Sequence, residues 1–274
     1  MSRRFFIKLL NRAGYDLRKM DIYREMSGSG EHLQTSGWRV EFIGAYGAGK
    51  TTQFYAVWPQ YEQEWFSRKQ LRLYTERRRI KTYDLTDARF ATHYEKLLVL
   101  KFHNLFQSSR SMANKVELYD FFKTQLGLDL YFSNCKLSRG LFSDDGIIHN
   151  FAEELLEMAQ DGDEALPMDS FLSHLFNKRA LIYLKADPGT IEGHLKTRSV
   201  EMPGAGNDWL TYWQASSGAE EIPECIALIV ARVERLVALA DRHGAPVLRL
   251  DVKKGTAHNG REVGRFLEGL KIKV

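Results

Sequence analysis

The chain has 274 residues, 44% of them apolar and 27% charged, with a net charge of +4. That length holds one large α/β domain or two small ones, the composition is that of a soluble globular protein, and so small a net charge excludes a globally basic nucleic-acid-binding surface. Only two cysteines, Cys135 and Cys225, are present; they form neither a metal-ligand spacing nor a disulfide framework, and a reducing cytoplasmic setting is expected.

In chain order, residues 1–26 come first as a basic amphipathic segment. Phe5, Phe6, Leu9, Leu10 and Leu17 lie among Arg3, Arg4, Lys8, Arg12, Arg18 and Lys19. Such a pattern can rest on an anionic membrane surface or a partner protein, pack on its own domain, or stay a free arm. Ser2-Arg3-Arg4-Phe5-Phe6-Ile7-Lys8 is similar to a twin-arginine export signal. Asn11, Arg12, Asp16, Arg18 and Lys19 occupy the place of the apolar region that such a signal needs, so export is rejected. No apolar run approaches the roughly 20 residues of a membrane span. Ser27-Gly28-Ser29-Gly30 reads as a linker, which divides the chain into an arm and linker over 1–34 and a folded domain over 35–274.

Val40, Phe42 and Ile43 are strand formers that stop at Gly44, and a helix-forming run begins near Lys50. Between them, Gly44-Ala45-Tyr46-Gly47-Ala48-Gly49-Lys50-Thr51 fits G-x-x-x-x-G-K-[ST] at every fixed position. This is the Walker A, or P-loop, pattern in its strand–loop–helix context. Backbone N–H groups of such a loop form an anion nest, and the helix N-terminus adds its dipole. The pattern assigns residues 44–52, Thr52 included, to nucleoside triphosphate binding. Lys50 is expected on the β- and γ-phosphates and Thr51 on Mg²⁺.

Pro59 is expected to end or interrupt the helix after this loop. Arg68, Lys69, Arg72, Arg77, Arg78, Arg79 and Lys81 then crowd one stretch, opposed within it only by Glu76. This is either a solvated helix face or a clamp for an anionic acceptor, since arginine forks suit phosphate and carboxylate. Phe90, Tyr94, Leu97, Leu98, Phe102 and Leu105 recur at helical steps, and a second helix is expected over 115–125. Residues 60–135 therefore read as a helical acceptor-binding region without a clear second strand. His93 and His103 have no metal-ligand pattern and are given no chemistry.

Gly140-Leu141-Phe142-Ser143 is a short apolar run delivering Asp144-Asp145-Gly146, as a Walker B strand would. The plain alternative is an Asp-Asp-Gly turn. Phosphoryl transfer needs a carboxylate for Mg²⁺ and a second to orient or deprotonate the attacking group. Asp144 is assigned to metal with Thr51, and Asp145 to the base, the reverse division remaining open. His149 and Asn150 follow on a helix that can reach the same cleft. Two helices broken at Asp161-Gly162-Asp163 precede another buried strand, Ala180 to Lys185.

Tyr183-Leu184-Lys185-Ala186-Asp187-Pro188 and the following His194-Leu195-Lys196-Thr197-Arg198 carry a family resemblance. Together with the P-loop, this stretch resembles the approach to the lid in P-loop nucleoside and nucleotide kinases. The resemblance implies a three-layer α/β P-loop NTPase fold, a mainly parallel sheet flanked by helices with a helical insert. It implies that Arg198, helped by Lys196, contacts the transferring phosphates and that 196–210 is a lid. A long helix over 219–243, a strand over 246–251 and a helix over 259–270 complete the pattern. The resemblance departs where no Asp-Arg or Glu-Arg pair follows the Walker B strand, so the acceptor class does not carry over.

The function expected is ATP- and Mg²⁺-dependent phosphoryl transfer to a small hydroxylated or anionic acceptor, with Lys50, Asp144, Asp145 and Arg198 catalytic and Arg77, Arg78, Arg79 and His149 on the acceptor. A GTPase is disfavoured because Asn177-Lys178-Arg179-Ala180 lacks the base-reading Asp. An ABC-type ATPase is disfavoured because Leu137-Ser138-Arg139-Gly140 abuts the strand. A nucleotide-dependent switch working through a partner, and a sulfotransferase-like group transfer, remain the alternatives. No nucleic-acid partner is expected.

Overall fold

The computed structural model describes residues 34–78, 80, 86–108, 110–135, 137–160, 166–201 and 222–271. The basic N-terminal segment and its linker, Arg79, and the lid beyond Glu201 lie outside the described residues. The side chains of Arg78 and Arg198 also lie outside them.

Five strands form one parallel sheet: β1 (Arg39–Ile43), β2 (Trp65–Ser67), β3 (Gly140–Ser143), β4 (Arg179–Lys185) and β5 (Val247–Asp251), in the order β2-β3-β1-β4-β5. Every crossover between them is helical: α1 (Lys50–Tyr61), α2 (Arg68–Arg78), α3 (Ala91–Gln107), α4 (Met112–Asn134), α5 (Ile147–Asn150), α6 (Ala152–Gln160), α7 (Met168–Phe176), α8 (Pro188–Glu201) and α9 (Ile222–Arg242); α10 (Thr256–Lys271) follows β5. The sheet is thus sandwiched between helical layers, the arrangement parallel strands require because both of their faces must be covered. Phe54 and Val57 of α1, Ile191 and Leu195 of α8 and Val263 and Leu267 of α10 pack with Val40, Phe42 and Ile182 on one side. Tyr94, Leu97, Leu126, Leu155, Phe171 and Leu236 pack with Ile43, Leu181 and Tyr183 on the other.

The expected α/β architecture is therefore present, with two adjustments. Residues 60–135 are not wholly helical, since Trp65–Ser67 supplies the edge strand β2 paired with β3. Trp65 and Phe66 are fully buried, so two aromatic side chains anchor a strand too short to show alternation in the sequence. Pro59 sits in the last turn of α1, and the helix stops two residues later, at Tyr61. Proline has no N–H to return to the Tyr55 carbonyl and its ring crowds that turn, which fits the helix ending there.

The sheet carries a buried ion network. Arg179 donates to Glu41 Oε1 at 2.6 Å, to Asp129 Oδ1 at 2.7 Å and to the Leu175 carbonyl at 3.0 Å. Arg39 adds bonds to Ser133 at 2.5 Å and the Asn177 carbonyl at 2.6 Å, and lies 3.4 Å from Asp129. All four charged residues are buried. Burial alone would raise the Asp129 carboxyl, yet the two arginines hold it below its ordinary value. Glu41 is raised by burial, which Arg179 only partly offsets.

Removing one partner of such a network leaves the others charged and uncompensated. Asp129→Ala should therefore cost about 3–5 kcal/mol in chemical denaturation. The exposed Asp120 on the same helix lies 3.9 Å from Lys123, and Asp120→Ala should stay within about 0.5 kcal/mol. Equal costs for the two variants would remove the network from the stability of the fold.

Candidate active site

The site lies at the carboxyl ends of β1, β3 and β2, where ligands sit in open parallel sheets. From β1 the chain enters the loop 44–49. Gly49 caps α1 with a left-handed backbone. Gly47 also has positive φ, 81°, and a Cβ there would meet Leu195 at 3.0 Å and the Ile191 carbonyl at 3.2 Å. Both its dihedral and its close approach to α8 call for glycine. His194 of α8 donates from Nδ1 to the Gly47 carbonyl at 2.8 Å, so α8 is fastened to the loop 44–49.

Lys50 folds over the loop and donates to the carbonyls of Gly44 at 2.9 Å and Ala45 at 3.2 Å. Desolvation brings its ammonium down to about 8, against the opposite pull of Asp145 and Asp144. Tyr46 projects from the loop, with the Lys50 ammonium 5.2 Å from its ring and the His149 ring edge-on at 5.3 Å. Burial, with the nearby cations Lys50, Lys101 and Arg68, pushes the His149 imidazole well below its ordinary value, so it is neutral at neutral pH.

The Asp-Asp pair follows β3 and divides in direction. Thr51 Oγ1 donates to Asp144 Oδ2 at 3.1 Å. Asp145 turns to Arg68, which pairs with its carboxylate and also donates to its backbone carbonyl at 2.9 Å. A second guanidinium nitrogen lies 3.9 Å from Asp144. Burial raises the Asp145 carboxyl; Arg68 lowers it and Asp144 raises it again. Gly146 closes the turn directly on Glu41, whose Oε2 would stand 2.2 Å from a Cβ at that position. The buried network thus forms the floor of the Asp-Asp-Gly turn.

Lys50, Thr51, Asp144, Asp145 and His149 are therefore brought together. Arg77 is exposed on α2. Of the basic run, Arg68 is the member that reaches the carboxylates, and the sequence did not single it out. Its only signal was position, one residue after an unrecognised strand. Asp187 caps α8, accepting from Thr190 N at 3.1 Å and Thr190 Oγ1 at 2.6 Å, and pairs with Lys253 at 3.1 Å. His93 is a core histidine whose Nε2 lies 3.1 Å from the Pro167 carbonyl.

Thr51 and Asp144 are hard oxygen donors already in contact, which suits Mg²⁺. Among the described residues no cluster of three or more His, Cys, Asp or Glu is arranged to hold a metal. Mg²⁺ commonly takes only one or two protein oxygens and completes its shell with phosphates and water, and these residues fit that pattern. Among the described residues no helix is long and apolar enough to cross a membrane.

No family model matches the chain, and no curated protein matches its sequence. Among solved structures it is similar to a deoxyadenosine kinase from M. mycoides with bound dCTP, at a TM-score of 0.40 and 11% identity over 84% of this chain and 99% of that one. The same kinase with the products dCMP and dCDP gives a TM-score of 0.39 and 12% identity over the same shares. At that distance the active site is read from its own geometry.

The close approach at Gly47 generates a test. Gly47→Ala places a side chain in the left-handed region, at about 1–2 kcal/mol, and against α8. The melting temperature should fall by a few degrees. The thermal shift produced by added ATP should be lost, and its survival at wild-type size would detach the loop from phosphate binding.

Proposed function

We propose that the protein transfers the γ-phosphoryl group of ATP, with Mg²⁺, to a small hydroxylated or anionic acceptor. The observation that carries this reading is the meeting of Thr51 with Asp144 at 3.1 Å, directly beside a complete phosphate loop. A Gly-rich turn with no catalytic use has no reason to meet the carboxylates of a different strand.

Triphosphate enters the nest of backbone amides over 45–51. Lys50 exchanges the carbonyls of Gly44 and Ala45 for phosphate oxygens, and its partial desolvation strengthens that contact. Thr51 and Asp144 would hold Mg²⁺, which would supply charge neutralisation to the phosphate oxygens. Asp145 accepts the proton of the attacking acceptor hydroxyl as its oxygen bonds to the γ-phosphorus. The bond from that phosphorus to the bridging oxygen breaks, and ADP leaves. Burial raises the Asp145 carboxyl toward neutrality, which improves a carboxylate as a general base. His149, neutral and beside Tyr46, adds a polar contact for the acceptor. Arg198 is proposed to stabilise the transferring group from the helix that follows β4, and Arg77, Arg78 and Arg79 to approach the acceptor.

ADP formation across a panel of nucleosides, sugars and their phosphates tests this reading. A kinase should make ADP in proportion to one added acceptor, whereas hydrolysis independent of every acceptor would support the nucleotide-switch alternative. Lys50→Ala should lower turnover about 10²–10³-fold, by comparison with deletion of one preorganised anion-stabilising donor, without unfolding the protein. Wild-type turnover in that variant would overturn phosphoryl transfer at this loop.

A further inference from the structure

Two neighbouring aspartates at the end of one strand can both serve the same metal, and nothing in the pair itself divides them. Asp144 and Asp145 are similarly exposed, 26% and 24% at the side chain. What separates them is the residue that follows the adjacent strand. We propose that Arg68 is a positioning residue that assigns the two carboxylates different work, holding Asp145 on the acceptor side and leaving Asp144 as the single metal carboxylate. The proposal rests on the phosphotransfer reading above and extends it to a residue outside the phosphate loop and the Asp pair.

The geometry carries it in three steps. First, β2 pairs in parallel with β3, with Ser67 level with Phe142. The residue after β2 is Arg68, and in this register it stands level with Ser143, one residue before the Asp pair, within side-chain reach of both carboxylates. Second, Arg68 grips Asp145 twice, through the carboxylate and through the backbone carbonyl at 2.9 Å. One grip on a side chain leaves its rotamers open, but a simultaneous grip on the main chain of the same residue fixes the direction in which the side chain departs. Third, Asp144 is engaged from the opposite side by Thr51 at 3.1 Å, while the nearest Arg68 nitrogen is 3.9 Å away. Arg68 is itself held in place: its side chain is only 22% exposed, and its guanidinium lies 5.9 Å from the Phe121 ring of α4. Both contacts to Asp145 come from one nitrogen, Nη1, while Nη2 is the nitrogen 3.9 Å from Asp144, so a lysine would keep a cation for Asp145 but lose the second nitrogen turned toward Asp144.

The test uses the full-length protein and Mn²⁺ as probe, read by electron paramagnetic resonance in the presence of a non-hydrolysable ATP analogue. Asp144→Asn should weaken Mn²⁺ binding at least tenfold, and Asp145→Asn should leave it within twofold of wild type. Arg68→Ala should tighten Mn²⁺ severalfold, because Asp145 is released to join the metal. The double variant Arg68→Ala with Asp145→Asn should return to the wild-type affinity. In turnover, Arg68→Ala should lower kcat at least tenfold with the KM for ATP within twofold, and Arg68→Lys should recover part of that loss. The proposal is overturned if Asp145→Asn weakens Mn²⁺ as much as Asp144→Asn does. It is also overturned if Arg68→Ala leaves Mn²⁺ affinity at the wild-type value. Should Arg68→Ala fail to fold, Arg68→Met carries the same metal comparison, with the apolar stem kept and the cation removed. Absence of acceptor-dependent ADP would defeat the phosphotransfer reading alone, since the Mn²⁺ comparison does not require turnover.

Discussion

The guanidinium of Arg179 is the point from which the rest of the structure hangs. It joins β4, which carries it, to Glu41 of β1, Asp129 of α4 and the end of α7 through the Leu175 carbonyl. Burying a charge is tolerated only when every donor and acceptor around it is satisfied. Relative movement of these four elements would therefore break several bonds at once. Glu41 transmits the constraint: one carboxylate oxygen accepts from Arg179, and the carboxylate also fills the space against which Gly146 closes. The position of the Asp-Asp turn relative to the phosphate loop is in this way set from below, by charge buried in the sheet.

Above that floor the described part of the site is electrically balanced. Lys50 and Arg68 oppose Asp144 and Asp145, and each cation is already bonded, Lys50 to loop carbonyls and Arg68 to Asp145. A triphosphate with its metal ion must therefore rearrange existing contacts. Lys50 gives up two carbonyls of the loop, those of Gly44 and Ala45. Arg68 is less free, since releasing Asp145 means giving up a side-chain and a main-chain partner together.

Much of this was legible in the sequence because the chemistry tolerates little variation. A phosphate loop needs its glycines, lysine and threonine at fixed spacing between a strand and a helix, and Gly44 to Gly49 joins β1 to α1 as expected. The apolar runs at 140–143 and 180–185 likewise became β3 and β4. What was illegible follows from tertiary context. Trp65–Ser67 is too short to display a period. Arg39 and Glu41 alternate with Val40 and Phe42 in the manner of a strand with one wet face, yet that face is buried, since α4 and β4 bring the opposite charges to it. Arg68 was hidden inside a basic run whose other members give no hint that one of them turns inward.

The sheet order also decides from which side an acceptor approaches. β4 and α8 flank the phosphate loop on one side, fastened by His194 to Gly47. β3 and β2 flank it on the other, with Asp145, Arg68 and the Phe121 ring of α4 gathered there. Phosphoryl transfer requires the attacking and leaving oxygens to stand roughly in line on opposite sides of phosphorus. If the bridging oxygen of the nucleotide lies over the loop, the attacking oxygen belongs on the β3–β2 side, within reach of Asp145. Helix α4 covers that same side, with Leu128 and Phe132 packed against Phe66 and Leu141, so on the proposed reading its inner face joins Arg77, Arg78 and Arg79 in shaping the acceptor.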